Sequence, residues 1–198
     1  MTNLNNEYRK QQIAKHIESI MVLLDLDTTN DSLKGTPKRI AKMYMDEVFA
    51  NRNDHNIKEE LDDKMKFFPK EYGGDSELII LKDIPFYSMC EHHFMPFSGK
   101  ITVAYVPNNK IIGLSKIPRV VKYFSKKPQL QENLVNEIAD YLHDKLDAQA
   151  VYVLCRETVH TCVTARGIET YCDTDTLACR GVRKEDFKCE FYNRLRSV

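Results

Sequence analysis

Hydrophobic residues near the start of the chain recur at helical spacing. Between residues 7 and 25 they fall every three or four positions, which predicts an amphipathic helix: Ile13, Ile17, Ile20, Met21 and Leu24. After a polar break, Thr36 is expected to be the N-cap residue and Pro37 the first residue of a second helix, PKRIAKMYMDEVFA. Residues 51–76 are polar and without a clear period, so we expect a loop with one short element. The pattern predicts a helical appendage over residues 1–75.

The rest of the chain alternates short apolar runs with longer helical patterns. ELIILKDI and KITVAYVP are rich in β-formers, and in the second run Ile101, Val103 and Tyr105 alternate with Thr102 and Ala104. AQAVYVLCRET returns to strand, with a further extended stretch near residues 159–165. These runs predict four strands.

Two helical patterns lie between the strand pairs. SKIPRVVKYFS is the first, and QLQENLVNEIADYLHDKL is the second, which carries one apolar stripe: Leu130, Leu134, Ile138, Leu142 and Leu146. A short closing helix is indicated by Phe187, Phe191 and Leu195. Two strands, two helices and two strands predict an α+β domain over residues 76–198 with a mostly antiparallel sheet.

Composition and charge narrow the class of protein. The 198 residues carry 29 Lys and Arg against 29 Asp and Glu, so a generally basic nucleic-acid binder is not expected. The start, MTNLNNEYRKQQ, lacks the apolar region of a secretory signal, and no run approaches transmembrane length. We therefore expect a cytoplasmic protein with no membrane partner. In such a chain the six cysteines favour free thiols, some of them metal ligands, over disulfides.

The densest group of metal-binding residue types lies in YSMCEHHFMPF, residues 87–97. Cys90 and His93 form a Cys-x-x-His pair that a turn can present to one ion. His160 and Cys162 lie two apart on the expected strand, so they share a face, and Cys162 can complete the set. Thiolates with imidazole favour zinc, and three protein ligands leave the open position of a catalytic site.

A structural zinc site is the alternative, with Cys172 or Cys179 as a fourth ligand, and spacing alone does not decide between the two. In the catalytic interpretation, zinc lowers the pKa of a bound water to about 7. His92 and His160 then serve as acid–base groups beside it. The sequence lacks the H-x-E and P-C-x-x-C motifs of zinc nucleobase deaminases, so that class is not supported.

A second group of residues suits a nucleotide. Ser115, Lys116 and Arg119 begin one expected helix, and Arg166 follows Cys162 by four positions. A helix N-terminus with Lys and Arg nearby favours a polyphosphate. Glu132, next to Gln131, offers a carboxylate to the two parallel N–H donors of a guanine edge. Taken singly, each charge is more often a solvated residue on a helix face.

The successive motifs resemble those of GTP cyclohydrolase I. They are GTPKRIAKMYMDEVF, CEHHFMPFSGKITVAYVP, GLSKIPRVV, KPQLQENL and VHTCVTARGI, in order, from about residue 10 to the C-terminus. The resemblance implies the tunnelling fold (T-fold), an antiparallel sheet with two inserted helices, in a toroidal homodecamer with active sites at subunit interfaces. It also implies the conversion of GTP and water to 7,8-dihydroneopterin triphosphate and formate, the first step of pterin biosynthesis.

The resemblance also implies roles for individual residues. The zinc ligands would be Cys90, His93 and Cys162, and Glu132 with Gln131 would hold the guanine. His160 would protonate N7 during attack on C8, and His92 and Ser115 would assist the later rearrangement of the ribose. The triphosphate would be held by Lys116, Arg119, Arg166 and, from a neighbouring subunit, Arg39.

Two other functions compete with this one. A non-catalytic, zinc-stabilised nucleotide-binding relative would not need His92 and His160, so their presence favours the enzyme. A tunnelling-fold reductase that makes a 7-deazaguanine intermediate would use a catalytic cysteine and NADPH without zinc. The set Cys90, His93 and Cys162 speaks against that reductase.

Overall fold

The computed structural model describes residues 5–52, 54–71 and 77–196. The chain forms two compact units, Met1–Arg52 and Asn53–Val198. The predicted boundary between residues 75 and 76 lies outside the described residues and stays a prediction. Within the described ranges, no helix is both long and apolar enough to cross a membrane.

The first unit is helical, as the sequence predicts. Helix α1 spans Asn6–Leu23 and helix α2 spans Thr36–Met43, continued by a π-helical turn over Tyr44–Val48. The expected cap at Thr36 is wrong, because Gly35 is the N-cap residue and no side chain caps the helix. The Thr36 hydroxyl instead accepts a hydrogen bond from Arg39.

The second unit begins with a helix and a strand that the polar sequence of this region did not predict. Residues 51–76 were expected to form a loop with one short element, but they contain helix α3 (Asp54–Lys64) and strand β1 (Phe67–Pro69). Strand β1 pairs with β4 (Lys110–Ile112) in a small antiparallel sheet. Helix α3 is fixed by Asp62, which accepts hydrogen bonds from Tyr141 at 2.7 Å and from Lys145 at 2.6 Å.

The main sheet has five strands in the order β5-β2-β3-β6-β7. Its long strands are antiparallel: β2 (Ile79–Cys90), β3 (Pro96–Val106), β6 (Ala150–His160) and β7 (Asp173–Arg180). The two-residue strand β5 (Pro128–Gln129) pairs with the end of β2 in parallel. The expected extended stretch over residues 159–165 is wrong beyond His160, where helix α6 (Thr161–Thr164) begins.

Helices α4 (Ile117–Ser125) and α5 (Gln131–Leu146) are inserted between β3 and β6, which confirms the α+β prediction. A 3₁₀ turn over Leu114–Lys116 leads into α4. The predicted stripe of α5 is buried from its second member on, with Leu134, Ile138, Leu142 and Leu146 all at 0% exposure. Full burial of each such side chain stabilises the fold by about 1.5–3 kcal/mol.

The alternating residues of strand β3 pack into two different hydrophobic cores, one on each face of the sheet. Ile101, Val103 and Tyr105 pack in the core that includes α4 and α5. On the other face, Ala104 and Val106 pack with Phe191 of helix α7 (Lys188–Arg196), the predicted closing helix. Both faces of the sheet are therefore covered by packed side chains. The candidate site lies where β2 ends at Cys90 and β6 ends at His160.

Candidate metal centre

Three of the predicted ligands come together at one end of the sheet. Cys90 is the last residue of β2, His93 lies in the turn that follows, and Cys162 lies in α6. One ligand atom from each lies within 4.8 Å of the other two, and Cys90 Sγ is 4.0 Å from His93 Nδ1. Residues 72 positions apart in sequence therefore form one cluster of two thiols and an imidazole.

The turn between β2 and β3 presents the first two ligands. Cys90 N–H donates to the Met95 carbonyl, and Phe94 N–H donates to the Cys90 carbonyl, both at 2.9 Å. Phe94 closes the turn with a left-handed backbone at φ 51°. Cys90 is buried while His93 is exposed, so the cluster opens toward the molecular surface.

The third ligand is held by a contact that sequence spacing did not reveal. Cys162 was expected on a strand face shared with His160, but β6 ends at His160 and the chain turns into α6. The Thr161 hydroxyl donates to the Pro96 carbonyl at 2.6 Å, which fixes the start of α6 against β3. The short helix, and not strand alternation, directs Cys162 to the cluster.

The donor set fits a zinc ion. At ordinary Zn–S and Zn–N lengths, a tetrahedral ion needs ligand atoms about 3.5–3.8 Å apart. The 4.0 Å between Cys90 Sγ and His93 Nδ1 is close to that spacing. Within the ranges that the structure describes, the cluster has three members, so one coordination position is left for water or substrate.

The electrostatics of the cluster also favour a cation. Burial, followed by the neighbouring Cys90 sulfur, raises the pKa of the Cys162 thiol above its ordinary value. Two thiolates this close would repel each other, and a divalent cation between them removes that penalty.

Arg166 and His92 flank the cluster. Arg166 donates a hydrogen bond from Nη1 to His93 Nε2 at 2.9 Å. The His92 side chain is 63% exposed, with Nε2 3.9 Å from Glu91, and its ring is perpendicular to that of His93 at 6.2 Å. His92 is therefore free to face a bound molecule, whereas Arg166 is engaged with a ligand.

His160 is held rigidly beside the cluster. Its ring stacks on Phe97 with 4.7 Å between centroids and an interplanar angle of 8°, and the two residues face each other across β3 and β6. His160 Nε2 lies 2.7 Å from Gln131 Oε1. Burial lowers the pKa of His160 below its ordinary value, and the Glu132 carboxylate opposes this shift.

Gln131 was predicted to contact guanine beside Glu132, and in the structure its side chain is buried against strand β7. The residue is 2% exposed, and its amide nitrogen lies 3.0 Å from both the Thr174 carbonyl and Thr176 Oγ1. Glu132, by contrast, is exposed in the first turn of α5. Of the two, Glu132 is the group that faces outward.

The remaining predicted residues are placed as follows. Ser115 and Lys116 lie in the 3₁₀ turn and Arg119 lies in the first turn of α4. Across residues 5–52, 54–71 and 77–196, no side-chain hydrogen bond or ion pair involves these three. Arg39 belongs to the first unit, where it donates to the Ser32 carbonyl and the Thr36 hydroxyl.

Sequence reasoning missed the residues that support His160. Phe97 was visible only as one apolar residue of YSMCEHHFMPF, and its register opposite His160 depends on the pairing of β3 with β6. Thr174 and Thr176 lie in β7, whose first three residues are exposed and show no alternating pattern. The local sequence carries no signal for this long-range contact.

Sequence comparisons with known proteins agree on one family. Residues 13–195 match the family described as GTP cyclohydrolase I. The GTP cyclohydrolase 1 of Sodalis glossinidius (strain morsitans) is 43% identical over 180 residues, 90% of this chain and 77% of the relative. The GTP cyclohydrolase 1 of Salmonella choleraesuis (strain SC-B67) is 43% identical over 183 residues, 91% of this chain and 78% of the relative.

A structural comparison matches the archaeosine synthase QueF-Like in the apo form. The TM-score is 0.44 at 17% sequence identity, over 55% of this chain and 97% of that one.

Proposed function

We propose the following reaction on the premise that this chain belongs to the GTP cyclohydrolase I family. The enzyme opens the imidazole ring of GTP at C8, with water as co-substrate, and yields 7,8-dihydroneopterin triphosphate and formate. Carbon C8 leaves as formate, and the remaining amine closes a six-membered ring onto the rearranged ribose. The product belongs to pterin biosynthesis.

The metal of this reaction is zinc, held by Cys90, His93 and Cys162. The proximity of their three ligand atoms and the mixed thiol and imidazole donors support this assignment. Zinc, when bound, would supply a Lewis acid that makes water a nucleophile at neutral pH.

The acid that protonates N7 is His160. A proton at N7 is needed because attack on C8 leaves negative charge on that nitrogen. The stacked, hydrogen-bonded position of the ring beside the metal ligands supports this role. The exposed His92 and the hydroxyl of Ser115 move protons during the ribose rearrangement.

The substrate is held at both ends. Glu132 accepts the N–H donors of the guanine edge, and its exposure at the start of α5 supports this. The triphosphate is bound by Lys116, Arg119 and Arg166, with Arg39 from a neighbouring subunit. Such an Arg39 role requires an oligomer, and we propose the decamer of the family with active sites between subunits. The helical appendage predicted over residues 1–75 precedes the catalytic domain predicted over residues 76–198, in the cytoplasm, and α3 and strand β1 belong to the second unit.

The observation that carries the proposal is the proximity of Cys90, His93 and Cys162 at the end of the sheet that also holds His160. Zinc-loaded protein incubated with GTP is expected to release formate, and the product after mild oxidation is expected to show pterin fluorescence. ATP, which lacks the guanine edge, is the control substrate and should give neither signal.

A binding protein without catalysis would give a different result. It would retain GTP, protect the zinc from chelators and release no formate. Full-rate pterin formation by protein freed of metal would contradict the zinc assignment and leave the reaction in place.

A further inference from the structure

The amide of Gln131 has only one orientation that satisfies its neighbours. Its nitrogen lies 3.0 Å from the Thr174 carbonyl oxygen, and a carbonyl can only accept. The group that faces Thr174 is therefore the NH₂, and its second hydrogen points to Thr176 Oγ1, also at 3.0 Å. Both donors are used by strand β7, so Oε1 is left to face His160.

This orientation determines where His160 carries a hydrogen. Gln131 Oε1 is an acceptor 2.7 Å from His160 Nε2, so Nε2 must be the N–H donor. A neutral His160 then has its lone pair on Nδ1, and within the described ranges that nitrogen has no hydrogen-bond partner. When the ring takes up a second proton, that proton binds to Nδ1, and it is the one that the imidazolium can give up.

Phe97 and Gln131 restrict different motions of the ring. The stack on Phe97, at 4.7 Å and 8°, fixes the plane of the imidazole. The hydrogen bond to Gln131 fixes its rotation within that plane. Phe97 is 1% exposed and Gln131 2% exposed, so both groups that hold the ring are themselves fixed in the interior.

We propose that Gln131 is a positioning residue, which holds the Nε2–H of His160 in a hydrogen bond. The imidazolium then donates its other proton, the one on Nδ1, to N7 and becomes the neutral Nε2–H tautomer. The inference rests on the proposed role of His160 as the acid in GTP ring opening. It replaces the expectation that Gln131 binds guanine, because an amide that is buried and fully hydrogen-bonded has no donor to offer the substrate. Thr176 supports the same arrangement by accepting the second amide hydrogen.

The test compares Gln131→Met with Gln131→Glu in the zinc-loaded enzyme. Methionine has a similar length but no strong acceptor, so the ring can rotate or change tautomer. We expect kcat for formate release to fall about 10²-fold, within the range for general acid–base catalysis, with KM for GTP within threefold of wild type. Glutamate retains an acceptor for Nε2–H, and its kcat is expected at least tenfold above that of Gln131→Met.

The matched control is Gln129→Met. Gln129 is also 2% exposed, and its amide donates to Phe124 and Glu137, away from His160. If loss of any buried amide lowered kcat, this variant would show it, and we expect kcat within threefold of wild type. Where Gln131→Met does not fold, Thr176→Val provides the test, with a several-fold lower kcat and unchanged KM expected.

A spectroscopic measurement separates positioning from a general loss of structure. In ¹⁵N-histidine-labelled enzyme, solid-state NMR of neutral His160 should show a protonated Nε2 and an unprotonated Nδ1. The signals are assigned by their absence in His160→Gln. In Gln131→Met the tautomers should become mixed while zinc content stays the same.

Several results would overturn the inference. A raised KM with unchanged kcat in Gln131→Met would assign Gln131 to guanine binding, and a neutral His160 protonated on Nδ1 would reverse the tautomer. Equal activities of the Met and Glu variants, or an unchanged kcat in Thr176→Val, would also reject it. Failure of the proposed function is recognised separately, because wild-type enzyme would then release no formate from GTP.

Discussion

The guanidinium of Arg166 donates a hydrogen bond to Nε2 of His93 at 2.9 Å. Arginine has no acceptor, so Nε2 offers its lone pair and the ring hydrogen resides on Nδ1, which faces Cys90. A metal ion needs the lone pair of one of these nitrogens. If it binds Nδ1, the hydrogen moves to Nε2 and the Arg166 contact is lost. If it binds Nε2, it displaces Arg166 directly.

Zinc loading is therefore expected to move the Arg166 guanidinium away from His93, where it becomes available to a phosphate group. Crystal structures of the metal-free and zinc-loaded enzyme test this, with the Arg166–His93 nitrogen distance as the measure. A distance that remains near 2.9 Å with zinc bound would show that the contact and the metal are compatible, contrary to this prediction.

Serine at either thiol ligand should abolish metal binding. Cys90→Ser and Cys162→Ser are each expected to retain less than a tenth of the wild-type zinc, measured by elemental analysis, because a hydroxyl is a poor substitute for a thiolate. Cys189→Ser, at an exposed cysteine of α7, is the control and should bind zinc as the wild type does. Full zinc occupancy in Cys162→Ser would mean that the ion lies elsewhere.

The amphipathic helices α1, α2, α4, α5 and α7 and the Cys90–His93 pair could be predicted from the sequence, because they depend on local patterns. The stripe of α5 is visible in five residues, and Cys90 with His93 is a turn motif. The position of Cys162 could not be read correctly, because α6 begins where Thr161 bonds to Pro96, 65 residues away in the chain. The buried contacts of Gln131 could not be predicted for the same reason, since its partners Thr174 and Thr176 reach it through the pairing of β6 with β7.

Glu132 is expected to determine the preference for guanine. Glu132→Ala removes a charged acceptor, which costs about 1.5–3 kcal/mol, or roughly 10- to 150-fold in kcat/KM for GTP. Zinc content should not change. Asp144→Ala removes an exposed carboxylate from the same helix and is the control. Wild-type affinity for GTP in Glu132→Ala, together with an unchanged preference over ATP, would exclude the guanine role.

Loss of the His160 imidazole should affect the chemical step. His160→Ser is expected to keep zinc and GTP binding and to lose about 10²–10⁴-fold in kcat. His143→Ser, at a partly exposed histidine of α5, should keep its activity. If His160→Ser released formate at nearly the native rate, the proton would have to come from another group. His92, which lies between Cys90 and His93 in the sequence, would then be the next candidate.

The raised pKa of the buried Tyr152 predicts that the protein loses folding stability at alkaline pH. The ring is fully buried, stacks on Phe191 at 4.9 Å, and donates its hydroxyl to the Lys184 carbonyl. Burial raises the pKa of Tyr152 to about 12, against about 10 in the unfolded chain. The unfolded state thus loses its proton first as the pH rises, so the stabilisation is complete below pH 10 and disappears between about pH 10 and 12.

The free energy of unfolding should fall in that interval by at most about 2.7 kcal/mol through this group, at about 1.4 kcal/mol per pKa unit. Urea denaturation of wild type and Tyr152→Phe at pH 8 and at pH 11 measures the effect. The variant should lose less stability between the two pH values. Tyr87→Phe, at a tyrosine that is 76% exposed, is the control, and equal losses in all three proteins would contradict the prediction.

The central claim is that the site of Cys90, His93 and Cys162 removes C8 of GTP as formate. GTP labelled with ¹³C at C8, followed by NMR with the zinc-loaded enzyme, tests it most directly. The label is expected to leave the purine and appear in formate, one formate per pterin formed, and to stay in GTP with Cys162→Ser. Label retained in the purine by the wild-type enzyme, or formate formed equally well by Cys162→Ser, would contradict the account.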